Sequence, residues 1–173
     1  MPAEELRARI REVPDFPKPG ILFYDITTLL KDGPSFREAV DLMLEPFLET
    51  KVDVVVGMES RGFIFSAPMA YRLGVGLVPV RKLGKLPHET LSVEYALEYG
   101  SNTLEIHRDA IAEGGRVLIV DDLLATGGTV RGTVDLVRRL GGEIVGLSFL
   151  VELLFLKGRD RLTEFPVSSV IQY

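Results

Sequence analysis

Hydrophobic positions along the chain fall into short continuous runs and into stripes at helical spacing. The continuous runs, typical of strands buried on both faces, occupy 52–56, 77–80, 117–120 and 144–151. The stripes predict helices over about 36–49, 62–73 and 129–140. Strands that alternate with helices form parallel sheets with right-handed crossovers. The pattern therefore predicts an α/β fold with a central, mostly parallel sheet flanked by helices.

Signals outside these elements are weaker. Residues 2–12 suit a short amphipathic helix, and prolines make 14–20 extended and rich in turns. Residues 81–100 form a long polar segment in which apolar positions alternate, and this alternation predicts a hairpin. Residues 103–112 suit another short helix. Ser35 is the predicted N-cap of the helix over 36–49.

The stretch from Val117 to Thr129 joins an apolar strand, two adjacent acids and a glycine-rich turn that leads into a helix. The strand is expected to end where the acids begin, at the edge where open α/β sheets bind ligands. Carboxylates there can accept hydrogen bonds from vicinal hydroxyls, and small residues let backbone N–H groups and a helix N-terminus contact a phosphate. A ribose 5-phosphate fits this order, and its expected ligands are Asp121, Asp122, Ala125, Thr126, Gly127, Gly128 and Thr129.

Two basic motifs follow other strands and are expected at the same edge. Arg61 stands in a short loop where backbone N–H groups and a guanidinium suit a diphosphate. Arg81, Lys82 and Lys85 concentrate positive charge around a glycine. Each motif alone would indicate only a solvated loop with surface cations. Beside the acidic motif, they predict a site for a sugar carrying phosphate and diphosphate groups.

These motifs together resemble those of the type I phosphoribosyltransferase family. The motif DDLLATGGT is most similar to the corresponding motif of family members that act on adenine. The motifs RKLGKLP at 81–87 and LEYG at 97–100 indicate the same subgroup. The resemblance implies the type I phosphoribosyltransferase fold, as one domain over 1–173. It also implies an N-terminal hood at about 1–34 and a mobile catalytic loop at about 81–100.

The resemblance further implies an activity. Adenine and 5-phosphoribosyl 1-diphosphate would give AMP and diphosphate, in purine salvage, through an oxocarbenium-like transition state. Mg²⁺ would arrive with the phosphoribosyl diphosphate, because the sequence shows no dedicated protein cage for the ion. Family members are typically homodimers, and a cytoplasmic homodimer is the expectation here.

Roles for individual residues also come from the resemblance. It assigns base recognition to Leu22, Phe23, Tyr24 and Leu153, and it places Glu98 and Tyr99 in the catalytic loop, with Glu98 exchanging a proton with the base. From the residues alone, Glu94 is as good a candidate for acid or base as Glu98. Likewise, Phe23 alone suits the core as well as stacking on a purine. Tyr24 departs from some members, which have arginine there.

Composition and charge narrow the alternatives. The formal net charge is -5, which argues against broad nucleic-acid binding, and no apolar run is long enough to span a bilayer. The chain has no cysteine, which excludes thiolate chemistry and weakly favours the cytoplasm. The two histidines, His88 and His107, are expected to be exposed and receive no role.

Two other functions remain open. One is a related enzyme that uses hypoxanthine, guanine or xanthine, and the GKLP, LEYG and ATGGT wording argues against it. The other is a non-enzymatic regulator that keeps the sugar-phosphate pocket and binds DNA. About a dozen residues precede the proline-rich segment that begins at Pro14, which leaves little room for a DNA-binding segment.

Overall fold

A computed structural model gives the fold of the protein and describes residues 2–96 and 100–173. The α-helices and strands in these residues follow the order α1 (Ala3–Arg7), β1 (Arg11–Pro14), β2 (Leu22–Asp25), α2 (Thr27–Leu30), α3 (Gly33–Leu44), β3 (Val54–Met58), α4 (Gly62–Leu73), β4 (Gly76–Lys82), β5 (Thr90–Ala96), β6 (Ser101–His107), β7 (Arg116–Leu124), α5 (Gly128–Arg139), β8 (Glu143–Glu152) and β9 (Val167–Gln172). Short 3-10 helices occupy Glu45–Phe47, Leu154–Leu156 and Gly158–Arg161.

A seven-stranded sheet in the order β5-β6-β4-β3-β7-β8-β9 forms the centre of the fold. The pairs from β4 through β3, β7 and β8 to β9 are parallel, and β6 pairs antiparallel with both β4 and β5. The prediction of a mostly parallel central sheet flanked by helices is therefore confirmed.

Alternate side chains of β7 enter two separate hydrophobic cores. Leu118 and Val120 pack with residues of α3 and α4, whereas Val117 and Ile119 pack with residues of α5 and the β5–β6 hairpin. Each of these four side chains is fully buried. A strand with helices over both faces needs apolar residues at every position, which explains why the sequence shows a continuous run instead of an alternation.

The N-terminal segment is a helix followed by a hairpin, so the expected helix over 2–12 is wrong in its second half. Helix α1 ends at Arg7, and β1 pairs antiparallel with β2 in a separate two-stranded sheet. The amphipathic pattern is still used, because Leu6 and Ile10 are both buried. The hairpin brings Phe23 opposite Val13 at the end of the segment that faces the site.

The expected helix over 103–112 is also wrong. Residues 101–107 form β6, which lies between β4 and β5 and hydrogen-bonds to both. Leu104 and Ile106 point into the core with the period of two that a strand requires. Glu105 between them is buried as well.

Two predicted boundaries are corrected by the structure. Strand β7 does not end at the acids but continues to Leu124, which is buried and whose carbonyl accepts a hydrogen bond from Leu153 N–H. Helix α3 begins earlier than predicted, with Asp32 as its N-cap, and the Asp32 carboxylate accepts the Ser35 N–H at 3.1 Å. Pro34 in the first turn fits this earlier start, since its missing N–H needs no partner there.

Within the ranges that the structure describes, no helix combines the length and the apolar composition needed to cross a bilayer.

Candidate active site

A cleft of about 380 Å³ opens at the carboxyl ends of β3 and β7. This is the edge at which the sequence predicted a ligand. The side chains and backbone that line it come from the loop after β3, the end of β4, the end of β7 and the start of α5. They are Glu59, Ser60, Arg61, Lys82, Asp121, Asp122, Leu123, Leu124, Ala125, Thr126, Gly127, Gly128, Thr129 and Val130.

The glycine-rich turn, residues 125–129 and called the phosphate loop below, leads directly into α5. Gly127 has a φ of 86°, a left-handed conformation that residues with a side chain adopt at a cost, and a Cβ there would lie 2.9 Å from the Gly158 carbonyl oxygen. The twelve-residue helix α5 begins at Gly128, so its unpaired N–H groups and positive end point at the turn. The arrangement suits a phosphate group.

Arg61 is held between an acid and an aromatic ring. Its Nε donates to Asp122 Oδ2 at 2.6 Å, and its guanidinium lies 5.8 Å from the centre of the Phe23 ring. Asp122 is buried, at 6% exposure, whereas the side chain of Arg61 is about half exposed. The contact leaves other guanidinium N–H groups of Arg61 free to bind an anion in the cleft.

The two acids of the motif have different surroundings. Asp121 Oδ1 accepts the Asp122 N–H at 2.8 Å and lies close to Gly62, where a Cβ would come within 2.8 Å of it. Loss of hydration raises the pKa of Asp121 well above its usual value, and the neighbouring Asp122 carboxylate raises it further, while Arg61 lowers it. Asp121 therefore resists ionisation in the free protein, and hydroxyl donors or a cation at the cleft would favour its ionised form.

Glu59 gathers the basic motif of β4, a role that the sequence did not reveal. Its carboxylate accepts hydrogen bonds from Lys82 N–H at 2.8 Å, from Arg81 Nη2 at 3.4 Å, and from Lys85 Nζ. Loss of hydration alone would raise the pKa of Glu59, but these hydrogen bonds and the positive charge of Lys85 lower it to about 2. The available signal was its place directly after β3, in the same loop as Arg61.

A second cavity, of about 190 Å³ and mostly apolar, adjoins the cleft. It shares Arg61, Asp122 and Leu123 with the cleft. Its other lining residues come from the hood and from the end of β8, and they are Ile21, Leu22, Phe23, Tyr24, Ile26, Val151 and Leu153. All four residues predicted to recognise a base therefore line one cavity beside the cleft.

Phe23 and Tyr24 use their rings differently. Phe23 belongs to neither hydrophobic core, and within the described residues its ring contacts Phe16 edge-on at 5.1 Å and faces the cavity. The ring of Tyr24 stacks on that of Tyr173, with 3.8 Å between the ring centres. The guanidinium of Arg7 also lies over the Tyr173 ring, 4.3 Å from its centre. The geometry therefore favours the Phe23 ring as the surface on which a base stacks, because the Tyr24 ring is already stacked on Tyr173.

The remaining predicted residues divide into three groups. Lys82 lines the cleft, whereas Arg81 and Lys85 form ion pairs with Glu59, which also lines the cleft. Glu98 and Tyr99 lie outside the described residues. His107, expected in an exposed helix, instead lies partly buried in β6, with its ring 6.3 Å from that of His88.

Among residues 2–96 and 100–173, no group of three or more histidine, aspartate and glutamate side chains is placed to hold a metal ion. The cleft nevertheless contains the paired carboxyls of Asp121 and Asp122. Mg²⁺ is commonly bound by one or two carboxylates together with substrate phosphates. The donor set therefore fits an ion that arrives with a phosphorylated substrate.

Comparison with known proteins agrees with this geometry. The family model for the phosphoribosyl transferase domain matches residues 26–168. The chain therefore belongs to the phosphoribosyltransferase family. An adenine phosphoribosyltransferase from Chloroflexus aurantiacus is 58% identical over 173 residues and covers 100% of both chains. The resemblance to the adenine phosphoribosyltransferases inferred from the motifs is thus confirmed.

Solved structures extend the comparison to the fold. The adenine phosphoribosyltransferase from Thermoanaerobacter pseudethanolicus superposes with a TM-score of 0.96 at 54% identity, covering 99% of each chain. The enzyme from Saccharomyces cerevisiae, complexed with adenine and an imino-altritol bisphosphate, superposes with a TM-score of 0.92 at 43% identity, covering 97% of each chain. The expected type I phosphoribosyltransferase fold is therefore confirmed.

Proposed function

We propose that the protein transfers the phosphoribosyl group of 5-phosphoribosyl 1-diphosphate to adenine, giving AMP and diphosphate in purine salvage. The observation that carries this proposal is the pair of adjoining cavities. A polar cleft with a phosphate loop, acids and cations meets an apolar cavity at Arg61, Asp122 and Leu123. The first suits a sugar with phosphate groups and the second suits a flat base, so the reacting carbon falls where they join.

The phosphate loop and the acids hold the sugar. Backbone N–H groups of residues 125–129 and the N-terminus of α5 bind the 5-phosphate. Asp121 and Asp122 accept hydrogen bonds from the two ribose hydroxyls. Contacts at both ends of the sugar orient C1 towards the apolar cavity. This positioning lowers the activation free energy, because the loss of translational and rotational freedom has already occurred on binding.

The positively charged side chains of the site bind the departing diphosphate. Its bond to C1 breaks as the bond from C1 to N9 of adenine forms, so negative charge grows on the diphosphate oxygens. Arg61 and Lys82 reach these oxygens from the cleft lining. Arg81 and Lys85 lie nearby, paired with Glu59. We propose that they also contact the diphosphate when it binds.

The hood and the end of β8 hold the base. The Phe23 ring covers one face of adenine and Leu153 covers the other, while the backbone of Leu22 and Tyr24 reads its edge. The stacking of Tyr24 on Tyr173 supports a main-chain contact at that position. Adenine must lose its N9 proton as the new bond forms, and Glu98, beside Tyr99 in sequence, exchanges a proton with the base.

Mg²⁺ that arrived with phosphoribosyl diphosphate would offset negative charge on the diphosphate. Asp121 and Asp122, which line the cleft, are the carboxyls that would hold it. Removing the ion with a chelator is expected to abolish turnover, and restoring Mg²⁺ is expected to recover it. Turnover that persisted in the chelator would remove the ion from the proposal.

The organisation of the molecule is part of the same proposal. The chain would act as one phosphoribosyltransferase domain with a hood at about 1–34 and a catalytic loop at about 81–100. It would act as a cytoplasmic homodimer, with a mass in solution of about twice the 19.2 kDa of one chain. Sedimentation at equilibrium tests the assembly, and a single-chain mass would refute it.

Diphosphate release with Mg²⁺ and phosphoribosyl diphosphate, measured separately with adenine, hypoxanthine, guanine and xanthine, tests the reaction. Release with adenine alone is the expected result. Release with another base would keep the sugar-phosphate site but contradict the role given to the hood. No release with any base, together with measurable binding of phosphoribosyl diphosphate, would favour a regulator.

A further inference from the structure

Helix α5 contains a glycine in its interior, where glycine weakens a helix. The backbone conformation at position 132 does not require glycine, since the φ of Gly132 is not positive. A Cβ at this position would lie 3.3 Å from Val93 Cγ1, 3.5 Å from Leu104 Cδ1 and 3.8 Å from Tyr95 Cδ1. The glycine therefore lets the β5–β6 hairpin approach the helix closely.

Tyr95 occupies the space that two glycines leave on this helix. A Cβ at Gly128 would lie 3.6 Å from Tyr95 Cδ2, and Gly132 stands about one turn further along the same face. The ring of Tyr95 therefore lies across the first turn of α5, over the start of the helix that follows the phosphate loop. At the other end of the helix, Arg139 Nη1 donates to the Ser92 carbonyl at 2.8 Å and holds the same strand.

The hydroxyl of Tyr95 reaches the phosphate loop itself. Thr129 Oγ1 and Tyr95 Oη lie 3.5 Å apart, and Thr129 lines the cleft. An ionised phosphate oxygen only accepts hydrogen bonds, so the Thr129 hydroxyl must donate to a phosphate oxygen that it contacts. That hydroxyl can then accept a hydrogen bond from Tyr95, because a hydroxyl donates once and accepts through its remaining lone pairs.

We infer that Tyr95 is a positioning residue for the 5-phosphate: it fixes the Thr129 hydroxyl and the first turn of α5 for phosphate binding. The ligand class is a sugar phosphate monoester, and the inference rests on the proposed function for the identity of that sugar. Tyr95 is not among the residues that line the cleft, so its effect on the phosphate passes through Thr129 and through the packing on Gly128 and Gly132.

This arrangement links the phosphate loop to the hairpin. Tyr95 belongs to β5, and it precedes Glu98 by three positions in the sequence. A hydrogen bond between Tyr95 and Thr129 that strengthens when phosphate binds also strengthens the attachment of β5 to α5. Binding of the sugar phosphate is therefore expected to protect the β5 backbone from hydrogen exchange.

Substitution Tyr95→Phe tests the inference, because it removes the hydroxyl and keeps the ring on its two glycines. The matched control is Tyr71→Phe, since the Tyr71 side chain is 86% exposed on α4 and lies away from the cleft. Titration calorimetry would measure binding of ribose 5-phosphate and, separately, of inorganic diphosphate with Mg²⁺. A thermal melt of each variant would report stability.

Tyr95→Phe is expected to weaken ribose 5-phosphate binding about fivefold, the size of one hydrogen bond, without changing diphosphate binding or the melting temperature. Tyr71→Phe is expected to match the wild type in all three. Equal affinity of wild type and Tyr95→Phe for ribose 5-phosphate would overturn the inference. An equal loss of affinity for both ligands would also overturn it, because it would indicate general loosening of the site.

The same titrations separate this inference from the proposed function. The binding comparison needs no base and no turnover. A wild type that bound ribose 5-phosphate but released no diphosphate with any base would refute the proposed function, and the Tyr95→Phe titration would still decide the role of Tyr95.

Discussion

Of the residues that the structure describes, Asp122 is one of the three that line both cavities of the site. Its carboxylate accepts a hydrogen bond from Arg61 at 2.6 Å, and it lines both the polar cleft and the apolar cavity. The residue thus orients the guanidinium that we assign to the diphosphate, and it lies where we propose that the ribose binds. A carboxylate in this position serves two ligands with its two oxygens.

The substitution Asp122→Asn is expected to lower affinity for phosphoribosyl diphosphate by roughly tenfold or more, because it removes charge-assisted hydrogen bonds to the ribose and to Arg61. Titration calorimetry with phosphoribosyl diphosphate measures the change. Asp41→Asn is a suitable control, since Asp41 pairs with Arg72 on the surface of α3 and α4. Wild-type affinity in Asp122→Asn would show that this acid does not hold the ribose.

Glu98 and Glu94 can be distinguished by turnover. Glu98→Gln is expected to lower kcat with adenine by roughly a hundredfold or more, the usual contribution of a general acid or base, while affinity for phosphoribosyl diphosphate stays nearly the same. Glu94→Gln is expected to keep most of the activity, because Glu94 already accepts a hydrogen bond from Ser101 across the hairpin. Full turnover in Glu98→Gln would remove Glu98 from the mechanism.

The ion pairs of Glu59 predict a dependence of stability on pH. The pKa of Glu59 in the folded protein is about 2, below its usual value of 4.5, so these pairs stabilise the fold fully above about pH 4.5. Their contribution is lost as pH falls towards about 2. Urea unfolding of wild type and Glu59→Gln should show a gap in midpoint that is constant near neutral pH and narrows below about pH 4.5. A gap of equal size at low pH would mean that Glu59 ionisation does not stabilise the fold.

At the scale of elements, the phosphate loop depends on the conformation of one glycine. Gly127→Ala is expected to lower affinity for ribose 5-phosphate at least tenfold, because a methyl group must adopt a left-handed φ and press on the Gly158 backbone. Gly74→Ala is the matched control, since Gly74 has a φ of 68° and open space around it. Both changes are expected to cost about 1 kcal/mol or more in unfolding free energy, but only the first should alter ribose 5-phosphate binding in calorimetry. Unchanged binding in Gly127→Ala would contradict the assignment of the loop.

The strands that helices cover on both faces could be predicted from the sequence, whereas β6, between β4 and β5, could not. The apolar runs of β3, β7 and β8 are continuous because helices cover both faces, and such runs are visible without a structure. Strand β6 is different, because buried Glu105 accepts hydrogen bonds from Thr90 and from Gly84 N–H. These partners come from distant residues, so the sequence gives no local sign that the acid is buried in a sheet, and the helix predicted over 103–112 is wrong.

The same distinction applies to the site. The acids and the phosphate loop are contiguous in sequence, so their joint role could be predicted from spacing. Glu59 gathers Arg81 and Lys85 from more than twenty positions away, and only the pairing of β3 with β4 brings them together. The place of Tyr95 on α5 likewise depends on how the hairpin folds over the helix, and local sequence carries no signal for that contact.

For the whole molecule, the fold divides the ligand between separate structural units. The parallel sheet and α5 provide the sugar-phosphate cleft, and the hood with the end of β8 provides the apolar cavity. Among the described residues, Arg61, Asp122 and Leu123 are the ones that line both, so we expect that the apolar cavity can change without disturbing the phosphate loop. This separation explains how a shared fold can carry different base specificities.

A crystal structure of the protein with AMP bound would test this division most directly. The account predicts the phosphate against residues 125–129, the ribose hydroxyls on Asp121 and Asp122, and the adenine ring between Phe23 and Leu153. An adenine ring bound outside the cavity of the hood, with the phosphate still in its loop, would contradict the account.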